Sequence, residues 1–279
     1  MKKYFYALAC AAGVLLTSCN SKKQTVAENV TPKYLILYYS ESGTTESLAK
    51  TLKEYLVDAD MERIEAVEPY DKAFDNIVKR GKKELDEGIL PEIKPLKSDI
   101  SKYDTIFLGY PVWFGTYAVP VKTLLSQVNL AGKTIVPFCT FGSGGLESSV
   151  KDIKAAQPDA IVKDGYGLRQ ARLNSRSKEL RRFLIEQGYM EGTVETLPEY
   201  SEQHQLNRVE ELYFTEATSG YQFPLGTPLS VGTRQTADGV DYKYIVKSKD
   251  IMTGGDAKTT IYVTKEYSAA KAEFTRVVR

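Results

Sequence analysis

Three short segments hold the residue types that could do chemistry. Ser40-Glu41-Ser42-Gly43-Thr44-Thr45 places four hydroxyls and a glycine directly ahead of an amphipathic run. Hydroxyls and free amides at the start of a helix, with the positive end of the helix behind them, are the parts that hold a phosphate. The segment has no Lys, which a nucleoside triphosphate loop needs to reach the outer phosphates. It has one glycine where a dinucleotide fingerprint has three. Standing alone, it could equally be a hydroxyl-rich helix cap with no ligand. The second segment, Tyr110-Pro111-Val112-Trp113-Phe114-Gly115-Thr116-Tyr117, has four aromatics in eight residues, among them the chain's single Trp. Flat rings stack on a flat heterocycle, and Gly115 allows close backbone approach; the same rings could instead plug the end of a core. The third, Thr140-Phe141-Gly142-Ser143-Gly144-Gly145, offers three glycines and two hydroxyls whose amides could surround a carbonyl-rich ring edge, or form only a flexible turn.

The elements around these segments decide whether they meet. YLILYY (34 to 39), TIFLGY (105 to 110) and TIVPFC (134 to 139) are near-continuous apolar runs suited to strands buried on both faces. Met61 to Val67 is a fourth strand with interspersed charges, and Ile161-Val162 a short fifth. Between them, Thr45, Leu48, Ala49, Leu52 and Leu56 recur at helical spacing. A helix over 71 to 86 shows an apolar stripe of Phe74, Ile77, Val78 and Leu85, ended by Gly88 and Pro91. Further helices are predicted over Pro120 to Gln127, 146 to 156 and Ser177 to Gln187. Such alternation predicts an α/β fold with a doubly wound, five-stranded parallel sheet. Ligands of that architecture bind beyond the carboxyl ends of the strands, where all three segments fall. One phosphate and one planar ring system together describe a mononucleotide such as FMN better than a dinucleotide.

From about Lys33 to Gln187 the chain resembles a flavodoxin. It is most similar to flavodoxin-like proteins with a Tyr-Pro-x-Trp-Trp-Gly loop and a Phe-Cys-Thr-Ser-Gly-Gly-Ser-Gly loop. The resemblance implies that Ser40, Ser42, Gly43, Thr44 and Thr45 bond an FMN phosphate. It implies also that Pro111, Val112, Trp113, Phe114, Gly115 and the adjoining Thr116 flank the isoalloxazine. Thr140, Phe141, Gly142, Ser143, Gly144 and Gly145 would then run along the pyrimidine side. Phe114 replaces a Trp, and Phe141 stands where the family has a small residue, so its ring could crowd or stack on the flavin. No catalytic side chain and no metal ligand are implied. The expected function is electron transfer, or a flavin-dependent oxidoreductase reaction, with a redox protein or a small acceptor such as a quinone as partner. FMN would carry the redox chemistry, and a phosphate held only by neutral groups would lower its reduction potential. A non-enzymatic envelope binding module on the same fold remains open, because the resemblance covers little more than half the chain.

The N-terminus, MKKYFYALACAAGVLLTSCN, has two Lys and then an apolar run too short to span a bilayer, the form of a secretory signal over residues 1 to 18. Leu16-Thr17-Ser18-Cys19 resembles a bacterial lipobox, which implies lipidation at Cys19, a polar tether over 19 to 32, and a lipoprotein anchored in the cell envelope facing the periplasm. Membrane association would then come from that lipid alone, leaving Cys139 as the available thiol. The domain with the three segments spans 33 to 190. Residues 195 to 279 are read as a small, mainly antiparallel β-rich domain of unknown role, with strands in VDYKYIVK (240 to 247) and TTIYVTKEY (259 to 267) beside the turns Asp238-Gly239 and Gly254-Gly255. LNRVEELYF could be a short helix or a strand.

Composition sets the limits. The 279 residues are 42% hydrophobic and 26% charged, and 37 Lys and Arg against 36 Asp and Glu leave no surplus for a nucleic-acid face. Three Cys and one His disfavour a structural zinc. His204 is expected to face solvent, and Arg169, Arg172, Arg176, Arg181 and Arg182 to form a solvated helix face. The acidic residues show no glycosidase-like pair.

Overall fold

The computed structural model describes residues 33–219, 221, 225–249 and 254–278. The expected signal peptide, Cys19 and the tether over 19 to 32 lie outside the described residues. Pro32–Arg279 is one compact unit holding two sheets. In the first, β1 (Tyr34–Tyr38), β2 (Asp60–Arg63), β3 (Thr105–Trp113), β5 (Thr134–Phe141) and β6 (Ile161–Val162) lie in the order β2-β1-β3-β5-β6. All of these neighbours pair in parallel. The fold is therefore the α/β doubly wound sheet that the alternation predicts.

Side chains of a strand alternate between faces, so each apolar run feeds two cores. Leu35, Leu37, Ile106, Leu108 and Ile135 pack on one side with α3 (Val119–Gln127) and α4 (Leu146–Ala156). Ile36, Tyr38, Phe107, Val136 and Phe138 pack on the other with α1 (Thr44–Tyr55) and α5 (Arg176–Glu186). Leu48, Ala49 and Leu52 are the buried stripe of α1, as their spacing predicts.

Helix α2 and the fifth strand depart from the sequence reading. Helix α2 (Phe74–Glu87) leaves Phe74 74% exposed and Val78 36% exposed, although both belong to its apolar stripe. Ile77 of the stripe packs against the core, and Gly81 and Glu84 are the fully buried residues. The carboxylate is tolerated inside because Arg80 Nε donates to it at 2.7 Å and the Tyr70 hydroxyl donates to its other oxygen. The fifth strand is also split: β7 (Tyr166–Arg169), absent from the sequence reading, continues where β6 stops, and both pair with β5.

Pro137 explains the split. Ile135 accepts a backbone bond from Lys163 at 2.9 Å, so alternate residues of β5 face the fifth strand. Pro137, two residues on, has no N–H to continue that ladder. The chain turns at Gly165, where φ is +77° and a Cβ would lie 2.4 Å from the Pro137 carbonyl oxygen. Gly165→Ala is expected to destabilise the protein by about 3 kcal/mol, combining a left-handed backbone with a clash against main chain. An unchanged urea midpoint in that variant would contradict this reading of the break.

The second sheet is antiparallel, β8 (Thr227–Gln235), β9 (Gly239–Lys249), β10 (Asp256–Glu266) and β11 (Glu273–Val278), in the order β11-β10-β9-β8. One face buries Val231, Tyr242, Tyr244, Val246, Ile261, Val263 and Phe274 against Phe214 of α6 (Arg208–Thr218). The ambiguous LNRVEELYF is helical because Asn207 and Glu210 form a reciprocal capping box. His204 bridges to the main chain of Val231, and its Nε2 lies 2.9 Å from the buried Glu210 carboxylate. The bond to Glu210 raises its pKa, although the ring stays part exposed.

The basic run is not a uniformly solvated face. Arg172 is 8% exposed and bridges Glu179 at 2.5 Å and Glu273 of β11 at 2.8 Å. Arg169 at the end of β7 also reaches β11, donating to the Phe274 carbonyl at 3.4 Å. Among the described residues no helix is long and apolar enough to cross a membrane.

Candidate functional site

The three segments converge at the carboxyl ends of β1, β3 and β5. Between β1 and α1, Gly43 caps the helix at φ +83° with no side chain bonding the first-turn amides. Those amides and the helix dipole face outward, free to meet an anion. Thr45 Oγ1 lies 2.8 Å from Thr140 Oγ1, and Thr44 Oγ1 lies 3.4 Å from the same oxygen, so the first and third segments share hydroxyls. Ser42 Oγ is 3.1 Å from Thr44 Oγ1. Ser40 is 1% exposed and its Oγ is buried without a hydrogen-bond partner. A buried hydroxyl left unpaired costs about 1–3 kcal/mol, which a ligand oxygen would remove. This orphan atom beside an uncapped helix start fits a phosphate.

Sequence reasoning missed Arg63. Its guanidinium donates to the Ser40 carbonyl oxygen and sits 3.4 Å from Glu46, placing a cation behind the first loop. The reading of neutral groups alone around the first loop does not include this guanidinium, which Glu46 pairs. The signal lay in strand order: Tyr38 of β1 pairs with Arg63 of β2, a register that linear spacing does not show.

The second segment is a hairpin, not an open loop. Strand β3 runs on to Trp113 and β4 (Thr116–Tyr117) folds back on it, pairing Trp113 with Thr116. Phe114 (φ +52°) and Gly115 (φ +86°) form the two-residue turn, both in the region that such tight hairpins require. Thr116 Oγ1 donates to Asp152 at 2.6 Å, and the Ser148 hydroxyl donates to the Gly115 carbonyl. Of the four aromatics, Tyr110 and Tyr117 are buried in the core, with the Tyr110 hydroxyl 2.9 Å from Ser149 Oγ. Trp113 is half-buried and Phe114 is 44% exposed. The Trp113 ring stands edge-on to Tyr39 at 5.8 Å and to Tyr70 at 5.2 Å, over Gly81 of α2. Tyr39 donates to Glu41 at 2.5 Å and Tyr70 to Glu84. Burial first, then these carboxylates, push both phenols up, so they remain protonated donors.

The third segment begins inside β5. The Phe141 ring is 7% exposed and packs toward Gly167, in the core at the end of β5. At Gly145, φ is +112° and a Cβ would lie 2.6 Å from Val112 Cγ1, so only glycine lets the second and third segments meet. Gly142 accepts from Arg169 Nε at 3.0 Å. Beneath the loop, burial drives the Cys139 thiol well above its ordinary pKa, which makes it inert.

The chain belongs to the flavodoxin family, whose model matches residues 33–183. Among solved structures, it is similar to a protein of Bacteroides eggerthii designated a flavoprotein, at 30% identity over 56% of this chain and 98% of that one, with a TM-score of 0.49. It is similar also to a flavoprotein from Lactobacillus acidophilus solved in complex with FMN, at 26% identity over 53% of this chain and 99% of that one, TM-score 0.44. A flavodoxin of Fusobacterium nucleatum bound to flavin mononucleotide shares 13% identity over 57% of this chain and 98% of that one, TM-score 0.37. No curated protein matches the chain.

Proposed function

We propose that this chain binds FMN across the three segments and acts at the bacterial cell envelope as a redox flavoprotein. It would serve either as an electron carrier to a protein partner or as a reductase of a small acceptor such as a quinone. The observation that carries the reading is the buried, unpartnered Ser40 Oγ beside the uncapped start of α1. FMN, when bound, supplies the electron chemistry. Ser40, Ser42, Thr44, Thr45 and the amides from Gly43 onward take the phosphate oxygens, with Arg63 adding charge from behind. Pro111 to Thr116 form a rigid wall for the ring. Thr140 and the amides from Gly142 to Gly145 face its pyrimidine edge. Residues 33–190 would hold this site, and β8 to β11 with α6 form the appended part.

Trp113 is the chain's only tryptophan and is half-buried in that wall. FMN binding is expected to quench its fluorescence, and Trp113→Ala to weaken binding by about 1–3 kcal/mol, the range for a large ring on a flat partner. Unaltered emission at saturating FMN would remove Trp113 from the site.

The envelope location rests on Lys2, Lys3, the apolar run and Leu16-Thr17-Ser18-Cys19. In a bacterial host, Cys19→Ala is expected to accumulate as an unlipidated precursor in membrane extracts. Mass spectrometry of the unaltered protein that found an unmodified N-terminus upstream of Cys19 would contradict the lipoprotein assignment.

A further inference from the structure

We infer that the appended sheet braces the third loop of the proposed cofactor site, with Arg169 as the positioning residue that joins the two. One guanidinium serves both sides. Its Nε donates to the Gly142 carbonyl at 3.0 Å, and another of its nitrogens donates to the Phe274 carbonyl of β11 at 3.4 Å. Its Cζ also lies 4.4 Å from the Phe274 ring centroid and 5.5 Å from that of Tyr221. Three residues on, Arg172 grips the neighbouring Glu273 and ties it to Glu179. Two successive residues of β11 are thus fastened to the end of β7 and the segment that follows it.

The consequence for the loop follows from peptide geometry. A trans peptide points its N–H opposite to its C=O. With the Gly142 oxygen held by Arg169 on the side of the appended sheet, the Ser143 N–H is directed away from that sheet. Gly142-Ser143-Gly144-Gly145 would otherwise be among the most mobile stretches of the chain, because glycine has the most conformational freedom to lose. At Gly144 a Cβ would lie 3.8 Å from Val277 of the same strand, an ordinary contact. Arg169 therefore fixes which way a glycine-rich loop presents its donor. Lys cannot replace it, since an ammonium lacks the planar fork and the stacking face.

The link to flavin rests on the proposed FMN site, whereas the clamp itself can be read without any ligand. In the ligand-free full chain, amide order parameters at Gly142–Gly144 are expected near the rigid value of about 0.85 and to fall below about 0.6 in both Arg169→Lys and Arg169→Ala. Strands β9 and β10 should keep their amide protection in both variants, which shows that the fold is intact. If FMN binds, both variants should weaken FMN and riboflavin by the same factor, about tenfold, because the third loop meets the ring and not the phosphate. A loop that stays rigid in Arg169→Ala with β9 and β10 protected, or full rescue by Lys, would overturn the clamp. A weakening confined to FMN would overturn the link between the clamp and the ring edge. A wild-type chain that binds no flavin yet loosens at 142–144 in the variants would keep the clamp and remove the FMN reading alone.

Discussion

Riboflavin is expected to bind this chain at least about 100-fold more weakly than FMN, because it has no phosphate to use the first loop. Each charge-assisted hydrogen bond to a phosphate in a shielded site is worth about 1.5–3 kcal/mol, so the loss of two corresponds to roughly 10² to 10⁴ in affinity. Parallel calorimetric titrations with the two flavins measure the ratio. Ser40→Ala separates this account from a merely structural serine. The buried Oγ has no partner in the ligand-free protein, so its removal should leave stability unchanged or slightly higher while weakening FMN. Equal affinities for the two flavins, or a Ser40→Ala variant that loses stability but not FMN, would take the phosphate off this loop.

The combined substitution Glu179→Gln and Glu273→Gln is expected to destabilise the protein by about 3 kcal/mol, since it strands a buried guanidinium that cannot shed its charge. Arg172 is 8% exposed; burial works against its charge, and Glu179 and Glu273 more than offset that, so its pKa is raised. Arg172→Met should cost less. The carboxylates it leaves behind are 31% and 50% exposed and can hydrate. Urea denaturation of the two variants gives the comparison. If the double Glu variant proves as stable as the parent, Arg172 is not the staple between the segment after β7 and β11.

The parts of the fold that were legible in the sequence are those in which a single element decides its own burial. YLILYY and the Thr45-to-Leu56 stripe sit in the structure as their periods predict, because a strand buried on both faces and a helix with one face each write a local pattern. The capping box at Asn207 was there to be read too, and resolves LNRVEELYF as a helix. What stayed hidden depends on neighbours far away in the chain. The α2 stripe reads as a core face, yet Glu84 takes the interior because Tyr70 and Arg80 pair with it. Strand β7 is four residues long and follows a break imposed by Pro137 on the adjacent strand. Arg63 comes to the first loop through strand order. Arg169 and Arg172 look like solvated charges until β11, a hundred residues on, is placed against them. The candidate site divides in the same way: its hydroxyls and glycines are visible in three short segments, whereas the cations that surround them are not.

The central claim is that three loops at the strand ends form one FMN site, and its most direct test follows the backbone amides of the purified chain as FMN is added. The account predicts saturation at one equivalent, with the shifts concentrated at Ser40 to Glu46, Val112 to Thr116 and Gly142 to Gly145. Absence of binding, or shifts confined to the appended sheet while the first loop stays unperturbed, would contradict it.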